Sequence, residues 1–107
     1  MPKGEYLGEL ELLVLSAIEQ VDDAYGMTIR QEIARRTGRD APVGVIYSAL
    51  ARLEQKGYVA FRLSDPLPVR GGRARKHVRL TAAGRHALQA STAAIARMLN
   101  LQLRPGT

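Results

Sequence analysis

The sequence predicts a mainly α-helical fold with one small β-hairpin, on three observations. Through most of the chain apolar residues recur at spacings of three and four, the mark of helices that bury one face. That period gives way to alternation in only two short stretches, YVAFRL at 58–63 and RARKHVRL at 73–80. Alanine and leucine dominate while aromatic residues make up only 5% of the 107 residues, a composition that favours helix over sheet.

The elements follow in order. In LGELELLVLSAIEQV (7–21), Leu7, Leu10, Val14, Ala17, Ile18 and Val21 form an apolar stripe, most of the acidic residues fall on other faces, and Asp22-Asp23 ends the helix. In GMTIRQEIARRT (26–37), Met27, Ile29, Ile33 and Ala34 are expected inward and Arg30, Arg35 and Arg36 outward, with Gly38 as a left-handed terminator. The arginines at and beyond this helix end, Arg35, Arg36 and Arg39, are justified by the helix dipole alone. After the turn GRDAP, Pro42 is tolerated in the first turn of a third helix whose Ile46, Leu50 and Leu53 share one stripe and which Gly57 closes. Residues 58–80 then read as two strands around a proline- and glycine-containing loop at 64–72. Such a hairpin is marginal alone and must pack its apolar side, Val59, Phe61, Leu63, Val78 and Leu80, on the helices. Thr81 is a candidate N-cap for a last helix running from Ala82 to about Leu103, with Leu88, Ile95, Met98, Leu99, Gln102 and Leu103 as its seam.

Charge is unevenly placed. The net charge is +6, yet residues 1–40 hold five basic and eight acidic side chains, whereas residues 62–85 hold seven basic ones against Asp65. Five of the basic residues, Arg70, Arg73, Arg75, Lys76 and Arg79, crowd RGGRARKHVR around two glycines. Like charges repel, so the cluster does not serve folding; it is the footprint expected of contact with a polyanion. Catalysis is not expected: there are two histidines, no cysteine, no metal-ligand spacing and no nucleophile–base pair, and RGGR precedes a strand rather than the helix that a phosphate-cradling loop needs. No cofactor or metal is expected either. The absence of a membrane-length apolar run or a basic-then-apolar leader, together with the lack of cysteine, leads to the expectation of a cytoplasmic protein without membrane partners.

Helix, helix, turn, helix, strand, loop, strand, helix is the layout of a winged helix-turn-helix domain. Its third helix enters the major groove and its hairpin lies over the adjacent backbone. The expected organisation is a DNA-binding domain at 1–80 and a C-terminal dimerisation helix and tail at 81–107, compact as a whole. A helix of roughly 20 residues has more apolar surface than the first three helices and hairpin can cover, so pairing with a second copy is expected.

DAYGMTIRQEI, then GVIYSALARLEQKGYV, then RGGRARKHVRLTAAGRHAL resemble the PadR family of transcriptional regulators, in its shorter subgroup. The resemblance spans nearly the whole chain. It rests on the Tyr-Gly opening of the second helix, the Gly-x-aliphatic-Tyr-x-x-Leu-x-Arg-Leu-Glu-x-x-Gly segment, the Gly-Arg-x-Arg-Lys wing and the Leu-Thr-x-x-Gly entry to the last helix. It implies a homodimeric repressor. Gly44 would bring the third helix close to DNA, Tyr47 would present its phenol to phosphate or groove, and Arg73, Arg75 and Lys76 would be wing contacts. It leaves Arg52 either at the DNA or bracing the domain against an acid. A candidate small apolar effector between subunits is also implied; Met98 is the seam residue that could line its site, although the chain lacks tryptophan. Two departures stand out: Pro42 occupies a position where serine or threonine is common and can donate nothing, and His77-Val78 replaces an aromatic pair.

The residues expected at DNA are therefore Tyr25, Val43, Gly44, Tyr47, Ser48, Arg73, Arg75 and Lys76, and those expected at a dimer interface are Leu88, Ile95, Met98, Leu99 and Leu103. Each has a plainer reading. Tyr47 lies about 100° round the helix from the core residue Ile46 and could pack under the wing; Tyr25 could simply close a turn; His86 reads as a surface residue. The expected function is sequence-specific DNA binding, as a transcriptional repressor on an inverted-repeat operator. The alternatives are an RNA-binding or ribosome-associated basic protein, which would lack the usual exposed aromatic pairs, and a protein-interaction module whose charge is incidental.

Overall fold

The computed structural model describes residues 7–63 and 76–102. The elements are α1 (Glu9–Gln20), α2 (Gly26–Thr37), α3 (Val43–Gln55), β1 (Val59–Leu63), β2 (Lys76–Leu80) and α4 (Ala82–Leu99). They make a mainly helical winged helix fold: a three-helix unit, an antiparallel hairpin and a final helix.

The first helix sits at the centre, packed against α2, α3, α4 and β2. With neighbours on several sides it buries more than one stripe. Leu15 is fully buried beside Val14, and even Glu11 is 6% exposed, so the single apolar face expected of this segment was too narrow. From α2 come Ile29 and Ile33, and from α3 Ile46, Ala49, Leu50 and Leu53. Met27, expected inward, is 43% exposed. The buried set of α2 is Gly26, Ile29 and Ile33, and Met27 lies about a third of a turn off that line.

Gly38 ends α2 at φ 75° and Gly57 follows α3 at φ 82°, the left-handed conformation in which a side chain would be strained. The hairpin pairs Val59 with Leu80 and Leu63 with Lys76. Val59, Val78 and Leu80 complete the core beneath it. One main-chain bond anchors the hairpin to the α1–α2 loop, the Val78 amide donating to the Ala24 carbonyl at 2.9 Å.

Thr81 caps α4 as expected: its hydroxyl accepts from the Gly84 amide at 3.0 Å and donates to the Gly57 carbonyl at 2.6 Å. Its own amide donates to the Tyr58 carbonyl at 3.0 Å. The first turn of α4 is thereby pressed onto the chain entering β1, and Gly84 is the residue that permits it. A methyl group built there would overlap the Tyr58 carbonyl oxygen and stand 2.8 Å from its carbon. The helix stops at Leu99, short of the expected Leu103, because Asn100 turns to φ 59°. Its seam also divides. Leu88, expected at a dimer interface, is 5% exposed and packs into the core of its own subunit, whereas Ile95, Met98 and Leu99 are exposed. The physical reason is position: Leu88 lies one turn beyond Gly84, where the helix is pressed onto the chain entering β1.

Candidate nucleic-acid interface

The surface begins with how α3 starts. Pro42 is its N-cap and offers no side-chain bond, but its carbonyl accepts from the amides of Val45 at 3.0 Å and Ile46 at 3.2 Å. With Ile46, Ala49, Leu50 and Leu53 turned inward, the opposite face presents Gly44, Val45, Tyr47, Ser48 and Ala51; Val43 is half-buried. Around the position that a Gly44 side chain would occupy, nothing lies within 4 Å.

Tyr47 satisfies parts of both sequence readings. Its side chain is 41% exposed, yet the ring end rests on the backbone of Gly26, the first residue of α2. Tyr25, immediately before it, is half-buried and meets the His77 ring edge-on at 6.1 Å between centroids. His77 Nδ1 in turn lies 2.5 Å from Asp23 Oδ1. The start of α2 thus connects α3 to the hairpin: Tyr47, Gly26, Tyr25 and His77 form one continuous set of contacts, with the bond from Val78 to Ala24 alongside. Thr28 steadies this corner, accepting from the Tyr25 amide at 3.0 Å and donating to the Asp23 carbonyl at 2.6 Å.

Electrostatics separate the cations into two groups. On the helical body most are engaged by carboxylates. Arg30 makes a two-pronged pair with Asp40 at 2.8 and 3.1 Å. Arg35 and Arg36 both hold Glu32, and Arg39 holds Glu9. Arg85 lies 3.7 Å from Glu19. Glu11 draws in Lys56 at 3.1 Å and Arg52 at 3.7 Å and accepts from the Gly8 amide at 2.9 Å. Arg52 thus lies within ion-pair distance of an acid, as its bracing reading expects. Burial pushes the Glu11 carboxyl up, but the Gly8 amide, Lys56 and Arg52 outweigh it and hold the group below the usual carboxylate range. Hydrogen bonds from their arginines do the same for Glu9, Glu32 and Asp40.

On the hairpin the pattern reverses. Among the described residues, Arg62, Lys76, Arg79 and Arg97 have no carboxylate partner, and the first three lie on β1 and β2. Lys76 sits over the Phe61 ring, 4.3 Å from its centroid, which holds the ammonium at the surface without neutralising it. Arg73 and Arg75, expected at the wing, lie outside the described residues, as does Leu103.

The structure thus brings Tyr25 and Tyr47 together through Gly26, with Val43, Gly44 and Ser48 on the same early turns of α3 as Tyr47, while Lys76 lies on β2 over Phe61. At the far end of α4, Ile95 (42%), Met98 (86%) and Leu99 (61%) are exposed, joined by Leu101 (58%), which the spacing of the seam did not single out. Arg62 was also missed as a free hairpin cation, although its alternation with Phe61 was the available signal. Among the described residues there is no cluster of three potential metal ligands, and no helix is long and apolar enough to cross a membrane.

The family model described as the transcriptional regulator PadR-like family matches residues 14–90. No curated protein matches the chain. Among solved structures, a PadR family transcription regulator from hypervirulent Clostridium difficile R20291 is 28% identical, with 87% of this chain and 92% of that one covered and a TM-score of 0.72. A PadR family transcriptional regulator from Eggerthella lenta is 26% identical over 85% of this chain and 75% of its own, with a TM-score of 0.72. Bacillus subtilis PadR, solved in complex with operator DNA, shares the fold at 21% identity and a TM-score of 0.65, over 92% of this chain and 52% of that one.

Proposed function

Because this chain belongs to the PadR-like family of transcriptional regulators, we propose that it binds double-stranded DNA as a homodimer and represses transcription from an inverted-repeat operator. The N-terminal half of α3 enters the major groove, with Val43, Gly44, Tyr47 and Ser48 at the DNA. The hairpin lies along the flanking backbone, with Lys76, Arg73 and Arg75 at phosphates and Tyr25 at the corner between the two. Phosphate contacts supply affinity and register, and base contacts supply sequence preference. Ile95, Met98, Leu99 and Leu103 join the two copies, Leu101 adding to that surface. Two subunits then address half-sites about 34–36 Å apart.

The observation that carries this reading is the sorting of cations. Carboxylates engage the arginines of α2 and α3, and leave Arg62, Lys76 and Arg79 of the hairpin for an outside anion. The exposed face of α3, from Val43 to Ala51, carries no acid. That Bacillus subtilis PadR was crystallised with operator DNA supports DNA as the partner. Sedimentation of the purified chain, followed by a competition between inverted-repeat duplexes from upstream of its own gene and structured RNA, tests the proposal. A dimer that prefers duplex is expected; a lone subunit, or a preference for RNA, would overturn it.

A further inference from the structure

We infer that α3 reads its operator through thymine methyl groups, with Val45 and Ala51 as the contacting side chains. The inference rests on the DNA-binding reading above and adds the class of base sequence that the helix would select.

The first two and a half turns of α3, Val43–Ala51, read VGVIYSALA. They hold no arginine, lysine, asparagine, glutamine, aspartate or glutamate. Guanine is read in the major groove by the paired donors of arginine or lysine, adenine by the amides of asparagine or glutamine, and cytosine by a carboxylate. None of these is offered where a groove-entering helix meets base edges, at its N-terminal residues. With Ile46, Ala49 and Leu50 in the core and the Tyr47 ring on Gly26, the outward set is Gly44, Val45, Ser48 and Ala51. At about 100° per residue these four fall within an arc of about 120°.

The forked side chains of α3 lie further along. Arg52 shares the outward arc, but its Nε lies 3.7 Å from Glu11, which is 6% exposed and also draws in Lys56. Gln55 is the last residue of the helix. What remains is an apolar surface with one hydroxyl. Thymine is the base that presents an apolar group in the major groove, its C5 methyl, and small aliphatic side chains are the ones that contact it. Val45 is 43% exposed, far more than a core valine needs. The open space at Gly44 lets this face come close, and the Ser48 hydroxyl tolerates any base as donor or acceptor.

The test selects binding duplexes from a random pool with the full chain, then remakes the enriched duplex with deoxyuridine in place of thymidine, one position at a time. The expected half-site is thymine-containing. Removal of the methyl at one or two positions per half-site should weaken binding roughly four-fold each. In Val45→Ala, which keeps a good helix former, the penalty at the base Val45 faces should shrink toward none, since a double-mutant cycle isolates the pair. Uniform binding of every uracil-substituted duplex overturns this inference alone and leaves DNA binding intact. So does a half-site read through guanine, recognised by its loss in Arg52→Ala. A pool from which nothing is enriched overturns the DNA-binding reading, and this inference with it.

Discussion

The ring of Tyr47 lies across the backbone of Gly26, so that α3 and the start of α2 touch with no room for a side chain between them. A methyl group on Gly26 would stand 2.6 Å from both Cζ and Oη of the phenol. The contact joins the helix proposed to read bases to the corner from which the hairpin is held, through Tyr25 and His77.

Gly26→Ala separates stability from function. The phenol is the free end of a partly exposed side chain and can swing aside, while alanine gains up to about 1 kcal/mol over glycine in a helix. Urea unfolding should therefore stay within about 1 kcal/mol of the parent protein. Operator affinity should fall several-fold, because the phenol has moved. In a Tyr47→Ala background the same substitution should stabilise the fold and leave affinity unchanged. An affinity loss that persists there would show that Gly26 acts independently of Tyr47.

Gly84 and Gly44 should respond in opposite ways. At Gly84 the obstruction is the main chain of Tyr58, which no rotamer change relieves, so Gly84→Ala should cost about 3 kcal/mol and loosen the Thr81 cap. At Gly44 nothing stands within 4 Å, so Gly44→Ala should add about 0.5–1 kcal/mol of stability while weakening operator binding. Denaturant melts beside fluorescence anisotropy on one duplex check both.

Acid should unfold the protein partly through Glu11. Its folded pKa lies below the ordinary carboxylate value, so the ionised form binds the folded state more strongly. Its contribution is complete above that ordinary value and is lost as pH falls through the depressed one. Glu11→Gln should cost about 1–3 kcal/mol near neutrality, by releasing Lys56 and Arg52. It should also flatten the acid limb of a plot of stability against pH. An acid limb as steep as the parent's would remove Glu11 from this role.

Salt dependence should identify the phosphate contacts. Changing Arg73, Arg75 and Lys76 together to alanine should weaken binding to all duplexes and lower the slope of log affinity against log salt by roughly two to three units, about 0.9 for each phosphate that is no longer neutralised. Arg35→Ala with Arg36→Ala should leave the slope unchanged, because both guanidinium groups are engaged by Glu32. An unaltered slope in the triple variant would place the phosphate contacts elsewhere.

Local chemistry was enough to predict the order of elements, the Thr81 cap, the glycine terminators and the hairpin. Thr81 can accept a bond from the amide three residues on, Gly38 and Gly57 can turn left-handed, and Val78 and Leu80 must face one way when strands alternate; each depends on neighbours close in the chain. Tertiary structure alone decided which groups meet across the chain. Glu11 read as one more acid off the apolar face of its helix, yet α3 arrives beside it and makes it a buried anchor for Arg52 and Lys56. Leu88 and Leu99 share one seam, yet the first is consumed by the core and the second left exposed, a division set by what packs against the helix and not by its own spacing. The same holds for charge: the sequence determined how many cations there are, but pairing is a matter of distance in space, and only the fold could engage those of α2 while leaving Arg62, Lys76 and Arg79 free.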